Sequence, residues 1–277
     1  MFLNENAERV LAACGAGLVL DVGGWADPFP RADYVLDCFN YETRSLLYHG
    51  VGRLPDTCRY PEPRPGERFT AKTWIVHDIC SSKPFPFPDK MFDFVVCSHT
   101  LEDIRDPIRV CEELMRVARA GYIETPSRLV EQTRDFSGMV GASHHRWLVE
   151  MRENRIEFTM KSPQLGSRRD CSVPITFTHR VPGSEKVTFL FWNDSFTAIE
   201  RFVDDPLEDA AKFVRGLGMS NSVRWKEPLG VIKSRLQHLF APKPPEVGTD
   251  SGLWTWPKLL KAAAPTASMK IKTLEVG

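Results

Sequence analysis

The stretch from Trp74 to Pro126 constrains the fold more than any other part of the chain. It reads WIVHDICSSKPFPFPDKMFDFVVCSHTLEDIRDPIRVCEELMRVARAGYIETP. Two apolar runs, Phe92-Asp-Phe-Val-Val-Cys97 and Gly121-Tyr-Ile-Glu124, flank a single helical pattern. In that pattern Ile104, Ile108, Cys111, Leu114, Met115 and Ala118 share one side, and Glu112, Glu113, Arg116 and Arg119 take the other. Asp106-Pro107 supplies an N-cap and a first-turn proline. A buried strand, one helix and a second buried strand make a parallel crossover, because parallel strands cannot be joined by a tight turn.

Three earlier runs extend the same reading: Leu18-Val-Leu-Asp-Val22, Tyr34-Val-Leu36 and Thr73-Trp-Ile-Val76. Their largely apolar character suits strands covered on both faces. Residues 1–126 therefore read as a Rossmann-like α/β core with a mostly parallel sheet. Residues 127–220 read as a β-rich addition completing the same domain. There Trp147-Leu-Val-Glu-Met151 and Arg155-Ile-Glu-Phe-Thr-Met160 flank the polar turn Arg152-Glu-Asn154, which predicts a hairpin. Val187-Thr-Phe-Leu-Phe-Trp192 is another β-prone run, and Leu207 to Leu217 reads as a helix closed by Gly218. Residues 221–277 are richer in Lys and Arg than in acid and carry the linker-like Pro242-Lys-Pro-Pro245, so a loosely attached segment is expected. Within it, Pro228 to Phe240 has the pattern of an amphipathic helix, expected to pack on its own domain.

Composition removes several function classes. Lys plus Arg equals Asp plus Glu at 36 each, so no chain-wide basic field exists and nucleic-acid binding by charge alone is not expected. No apolar segment reaches the length of a bilayer span, and the N-terminus lacks the basic region and cleavage site of a signal peptide, so a cytoplasmic protein is expected. Seven scattered cysteines form no C-x-x-C pair, a spacing that suits reduced thiols rather than a disulfide framework or a zinc site, and no metal is expected.

The segment from Trp74 to Pro126 resembles the class I S-adenosylmethionine-dependent methyltransferases, those of type 11 in particular. The resemblance rests on an acid after the third strand (Asp78), the Pro84-Phe-Pro-Phe-Pro88 segment, Phe92-Asp-Phe-Val95, and the Leu101-Glu102 turn. It implies S-adenosylmethionine lying across the C-terminal strand ends at the switch point of the sheet. Carried over residue by residue, Asp78 and Ile79 would meet the adenine, Asp37 the ribose hydroxyls, and Asp21, Gly23 and Gly24 the amino-acid end, with Cys97 and Ser98 at the end of the fourth strand. The first motif departs from the family pattern. Asp21-Val-Gly-Gly-Trp-Ala-Asp-Pro-Phe-Pro30 places two prolines where a helix usually starts, which predicts a structured loop there. Asp103 also stands where the family often has His.

The acceptor side is expected after the fifth strand. His144 and His145 are the candidate general bases, with near-neutral pKa values in their favour. Cys97 follows Val96 rather than Pro, so it is not a cytosine-type nucleophile, and Cys97-Ser-His-Thr100 is not the turn of exocyclic-amine methyltransferases. His99 is expected on the cofactor side, and Arg128, Arg134 and Arg146 are candidates for recognising an acidic group. The expected reaction is methyl transfer to a small-molecule or glycan acceptor. The alternative is a fold that has lost its cofactor and acts as an interaction or regulatory subunit. A nicotinamide enzyme fits less well, because Gly23-Gly24-Trp25 followed by two prolines does not open a helix as G-x-G-x-x-G would.

Overall fold

A computed structural model describes residues 4–44 and 66–219. The expectations for residues 221–277, the linker and the amphipathic run included, lie outside the described residues.

The strands follow the apolar runs. They are β1 (Val19–Val22), β2 (Tyr34–Asp37), β3 (Trp74–Val76), β4 (Phe92–Ser98) and β5 (Ala118–Pro126), then β6 (Thr133–Arg134), β7 (Trp147–Arg152), β8 (Arg155–Met160), β9 (Val173–Pro174), β10 (Val187–Asn193) and β11 (Thr197–Glu200). The helices are α1 (Asn4–Cys14), α2 (Pro107–Val117), α3 (Arg128–Glu131), α4 (Ile175–Thr178) and α5 (Pro206–Gly216). A six-stranded sheet runs β10-β5-β4-β1-β2-β3, in which only β10 is antiparallel to its neighbour. Chain order reverses between β1 and β4, so the loops leaving these strands turn to opposite faces and open a crevice at their C-terminal ends.

Each strand divides its side chains between two cores. Leu20, Val22, Val95, Cys97 and Ile123 face one side, where α2 contributes Val110, Cys111, Leu114 and Val117. Val19, Val35, Phe94, Val96 and Tyr122 face the other, where α1 contributes Val10 and Cys14. The two-residue period of a strand does this sorting, and burial on both faces accounts for the near-continuous apolar sequence. Asp106 caps α2 as expected, its Oδ1 accepting from Arg109 N at 3.1 Å.

The crossover from β1 to β2 contains no helix. Pro28 and Pro30 lie within it, and the loop instead buries Phe29 and Ala32 in the second core. Asp33 pins its far end by accepting from Val19 N at 2.9 Å.

β7 and β8 form the expected hairpin, with a turn one residue tighter than the sequence suggests. Arg152 pairs with Arg155, leaving Glu153-Asn154 as the loop, and Glu153 takes the positive φ (+52°) such turns require. β11 joins β8 in parallel, and Trp147, Val149, Ile156 and Phe158 pack into the α2-side core. β10 returns to the main sheet and pairs with β5 along its length. Asp205 Oδ1 caps α5 by accepting from Leu207 N and Glu208 N, and Gly218 beyond it has φ +61°. No helix among the described residues is long and apolar enough to cross a membrane.

Gly121 is where β5 admits its neighbours most closely. A Cβ there would stand 2.7 Å from both Trp192 Nε1 and Val95 O. Because one of these atoms is backbone in the central sheet, relief by side-chain rotation is incomplete. Gly121→Ala is expected to destabilise the fold by about 1–3 kcal/mol, read as a lowered urea midpoint at unchanged slope.

Candidate functional site

The crevice at the switch point is a cavity of about 1300 Å³. This exceeds the roughly 300–1,000 Å³ of a typical small-ligand pocket, so two molecules can lie side by side. It is lined by the strand-end residues Asp21, Gly23, Gly24, Asp37, Asp78, Ile79 and Ser98. His99, Glu102, Asp103, His144, His145 and Arg146, from the loops after β4 and β6, line it as well. The residues expected from the sequence at the site therefore meet in one cavity, except Cys97, Arg128 and Arg134. Cys97 is buried in the α2-side core, does not line the crevice, and has its thiol pKa pushed well up by burial.

The first wall is built around two acids at adjacent strand ends. Asp21 is buried at the end of β1, and its Oδ2 accepts from Phe29 N at 2.8 Å, folding the proline-containing loop back over the strand. Burial pushes its pKa up to about 7, against the Phe29 hydrogen bond that pulls it down. Gly24 packs onto this carboxylate so closely that a Cβ would lie 2.3 Å from Oδ2. Gly23 has φ +79°, and its N donates to Leu36 O at 2.9 Å, tying the turn to β2. Asp37 at the end of β2 accepts from Trp25 N at 3.0 Å and from Phe39 N at 2.9 Å. Burial raises its pKa despite those hydrogen bonds. Trp25 and Phe39, their ring centroids 4.4 Å apart, thereby form an aromatic shelf over the strand ends. The sequence reading missed this shelf. Its signal was one aromatic shortly beyond each strand, Trp25 three residues after β1 and Phe39 two after β2.

Asp78 is more open. Arg105, which follows β4, donates to its Oδ2 at 2.7 Å and to Cys80 O at 2.8 Å, and this hydrogen bond holds the Asp78 carboxyl below the usual range. Ile79 is buried beside Phe85 and Phe87. Ser98 Oγ is buried at the end of β4 and has no hydrogen-bond partner among the described residues.

The second wall begins at His99, whose φ of +52° lies in the left-handed region that favours glycine. The strained turn is held by His99 N donating to Glu124 O at 2.8 Å. The ring lies between two buried acids, Nε2 at 3.3 Å from Glu124 Oε1 and Nδ1 at 3.6 Å from Glu102 Oε1. Burial works against the charged imidazole, but Glu102 and Glu124 outweigh it and raise the pKa to about 9. His99 is thus a cation at neutral pH and no general base. Glu124 also accepts from Tyr122 Oη, which in turn accepts from Asn6 Nδ2 at 2.8 Å. Glu102 is 1% exposed, and neither carboxylate oxygen has a hydrogen-bond partner among the described residues.

His144 and His145 sit in the loop after β6, opposite Asp103. His144 is exposed at the rim, whereas His145 is largely covered and its Nδ1 lies 2.6 Å from Glu131 Oε1. Of the three arginines, only Arg146 lines the cavity. Arg128 is buried, bonded to Gln132, Glu150 and Asp209, and Arg134 holds Ser172, Gly138 and Gly166 together. Both clasp the β-rich region. Single-residue reading cannot separate such arginines from substrate-binding ones, because their partners come from distant segments.

Residues 57–123, which include β3, β4 and α2, match a methyltransferase-domain family. No curated protein matches the chain. Among solved structures, an S-adenosylmethionine-dependent methyltransferase from Mesorhizobium loti is similar at 16% identity and a TM-score of 0.31. The similarity covers 56% of this chain and 61% of that one. A second from Aquifex aeolicus is similar at 22% identity and a TM-score of 0.28, over 44% of this chain and 64% of that one. The chain spans between about half and two thirds of the length of the solved structures it resembles.

The raised pKa of Asp21 has a consequence for stability. An unfolded Asp ionises near its ordinary value of 3.8, while the folded one holds its proton to about 7. Between these values the folded state binds more protons, so this group's contribution is full below pH 3.8 and is lost as pH rises through 7. Asp21→Asn removes the effect while keeping an acceptor for Phe29 N. The variant is expected to gain stability relative to the parent as pH rises from 5 to 8, measured by urea denaturation at both values. Parallel pH profiles for the two proteins would contradict this.

Proposed function

We propose that this chain, through its class I methyltransferase domain, transfers a methyl group from S-adenosylmethionine to a small-molecule or glycan acceptor. One observation carries the reading: the acids and glycines expected to hold the cofactor converge on a switch-point cavity that has room for a second molecule. The residues present fit the cofactor. Asp37, with one hydrogen bond on each oxygen, keeps lone pairs for the ribose hydroxyls. Asp78 and Ile79 offer an acceptor and an apolar surface for the adenine, and the unpartnered Ser98 hydroxyl and the Gly23-Gly24 turn suit the polar amino-acid end.

When bound, the cofactor supplies a methyl group already activated by its sulfonium charge, so the protein's task is alignment and exclusion of water rather than strong chemical activation. The Trp25–Phe39 shelf and the Asp21-anchored loop cover the strand ends and stand in for the missing helix. Cationic His99, held between Glu102 and Glu124, presents a polar group that orients an acceptor. Its proton leaves on the side of the cavity where His144 and His145 face Asp103. This wall favours a hydroxyl-bearing acceptor, which a glycan or a small polyol-like molecule would provide.

A second reading, a cofactor-free fold serving as an interaction or regulatory subunit, is favoured by one feature. The Asp78 carboxylate is already held by Arg105 across the adenine side. Calorimetric titration with S-adenosylmethionine and S-adenosylhomocysteine decides between them. Micromolar binding is expected, weakened about tenfold or more by Asp37→Ala or by Asp78→Ala, in line with the 1.5–3 kcal/mol of a hydrogen bond to a charged group. No binding by folded protein at millimolar ligand would overturn methyl transfer, and unchanged affinity in both variants would overturn the residue assignments.

A further inference from the structure

We infer that Asp103, His144 and His145 form a site for one divalent transition-metal cation of the zinc kind, on the acceptor side of the cavity. One ligand atom from each of the three lies within 4.8 Å of the others. The His145 Nε2 and His144 Nε2 atoms are 3.5 Å and 3.9 Å from Asp103 Oδ1. A tetrahedral ion with bonds of about 2.0–2.2 Å to nitrogen and oxygen sets its ligand atoms roughly 3.4 Å apart. The spacing here is that of ligands around an ion, too long for direct hydrogen bonds. Two imidazoles and one carboxylate form a donor set that such cations favour over calcium or magnesium, and three protein ligands leave a position open to the cavity.

The surroundings orient the ligands. His145 Nδ1 faces Glu131 Oε1 at 2.6 Å, and Lys161 Nζ holds the other Glu131 oxygen at 2.7 Å. The short contact with this carboxylate makes Nδ1 the donating nitrogen and turns Nε2 toward Asp103. A carboxylate behind the ligating ring is the arrangement that fixes tautomer and direction at metal-bound histidines. Asp103 Oδ1 is itself buried and has no hydrogen-bond partner among the described residues, so a ring nitrogen and a carboxylate oxygen face the same small space.

The histidine loop is anchored on both sides. Gly141 N donates to Thr133 O at 2.8 Å with φ +58°, and Lys161 Nζ donates to Ala142 O at 2.8 Å. Arg146 N donates to Glu102 O at 2.7 Å, fixing the loop to the residue beside Asp103. The ligands are thus held in place by backbone bonds that do not depend on the ion. Spacing along the chain could not reveal the site, because Asp103 follows β4 while the histidines follow β6. Its use in deprotonating an acceptor hydroxyl rests on the methyl-transfer reading; the binding itself does not.

The test is titration of the chelator-treated full chain with Zn²⁺ by calorimetry and with Co²⁺ by visible absorption. One equivalent is expected to bind at micromolar or tighter affinity, with a tetrahedral Co²⁺ spectrum. His144→Ala, whose side chain is exposed, and Asp103→Asn are each expected to weaken binding more than tenfold. Glu131→Gln should weaken it about 10- to 100-fold. The proposal is overturned by no binding below millimolar cation, or by affinity within twofold of the parent in both His144→Ala and Asp103→Asn. Titration with S-adenosylmethionine alongside separates the two readings. Cation binding without cofactor binding supports the site and overturns methyl transfer, whereas cofactor binding without cation binding overturns the site alone.

Discussion

The position of β1 between β2 and β4 is the constraint on which the crevice depends. Because β1 pairs in parallel with both neighbours, the chain must leave it toward one face and leave β4 toward the other. The buried carboxylate of Asp21 sits at the end of that strand, turned into the loop that follows. It replaces what a helix N-terminus would supply: a fixed direction for the chain, set by one side-chain acceptor and one backbone donor at Phe29. Placing an acid there is costly, which is why its pKa rises, and the close packing of Gly24 against it leaves no room for a larger residue.

Asp37 repeats the device one strand over. Its two oxygens bind Trp25 N and Phe39 N, so the loops after β1 and β2 are tied to a single carboxylate and their aromatic rings are brought together. The residue assigned to the ribose is therefore also the post that shapes the wall around it. Loss of Asp37 would disturb both, and binding and positioning are inseparable at this residue.

On the opposite wall, charge is arranged in layers. Glu124, Glu102 and Glu131 are all essentially buried, and each faces an imidazole. His99 answers the first two by staying protonated, whereas His145 answers the third through Nδ1 and keeps its other nitrogen toward Asp103. Each ring lies between two acids, His99 between Glu102 and Glu124 and His145 between Glu131 and Asp103, and only His145 brings one nitrogen within 2.6 Å of a carboxylate.

The sequence by itself determined the parallel core, α2 with its Asp106 cap, the β7–β8 hairpin and the loop in place of the first crossover helix. These follow from short-range rules, since apolar periodicity, proline geometry and capping act within a few residues. It also named the acids and glycines that meet in the crevice, because strand ends are legible and the topology brings them together. Tertiary structure alone decided that Cys97 points into the core, since one residue of strand register separates the cavity from the interior. It alone decided that Arg128 and Arg134 are internal clasps, that Arg105 holds Asp78, and that His145 is backed by Glu131 and faces Asp103. Those pairings join segments far apart in the chain, where the energy of a charge depends on partners and burial that no local pattern encodes.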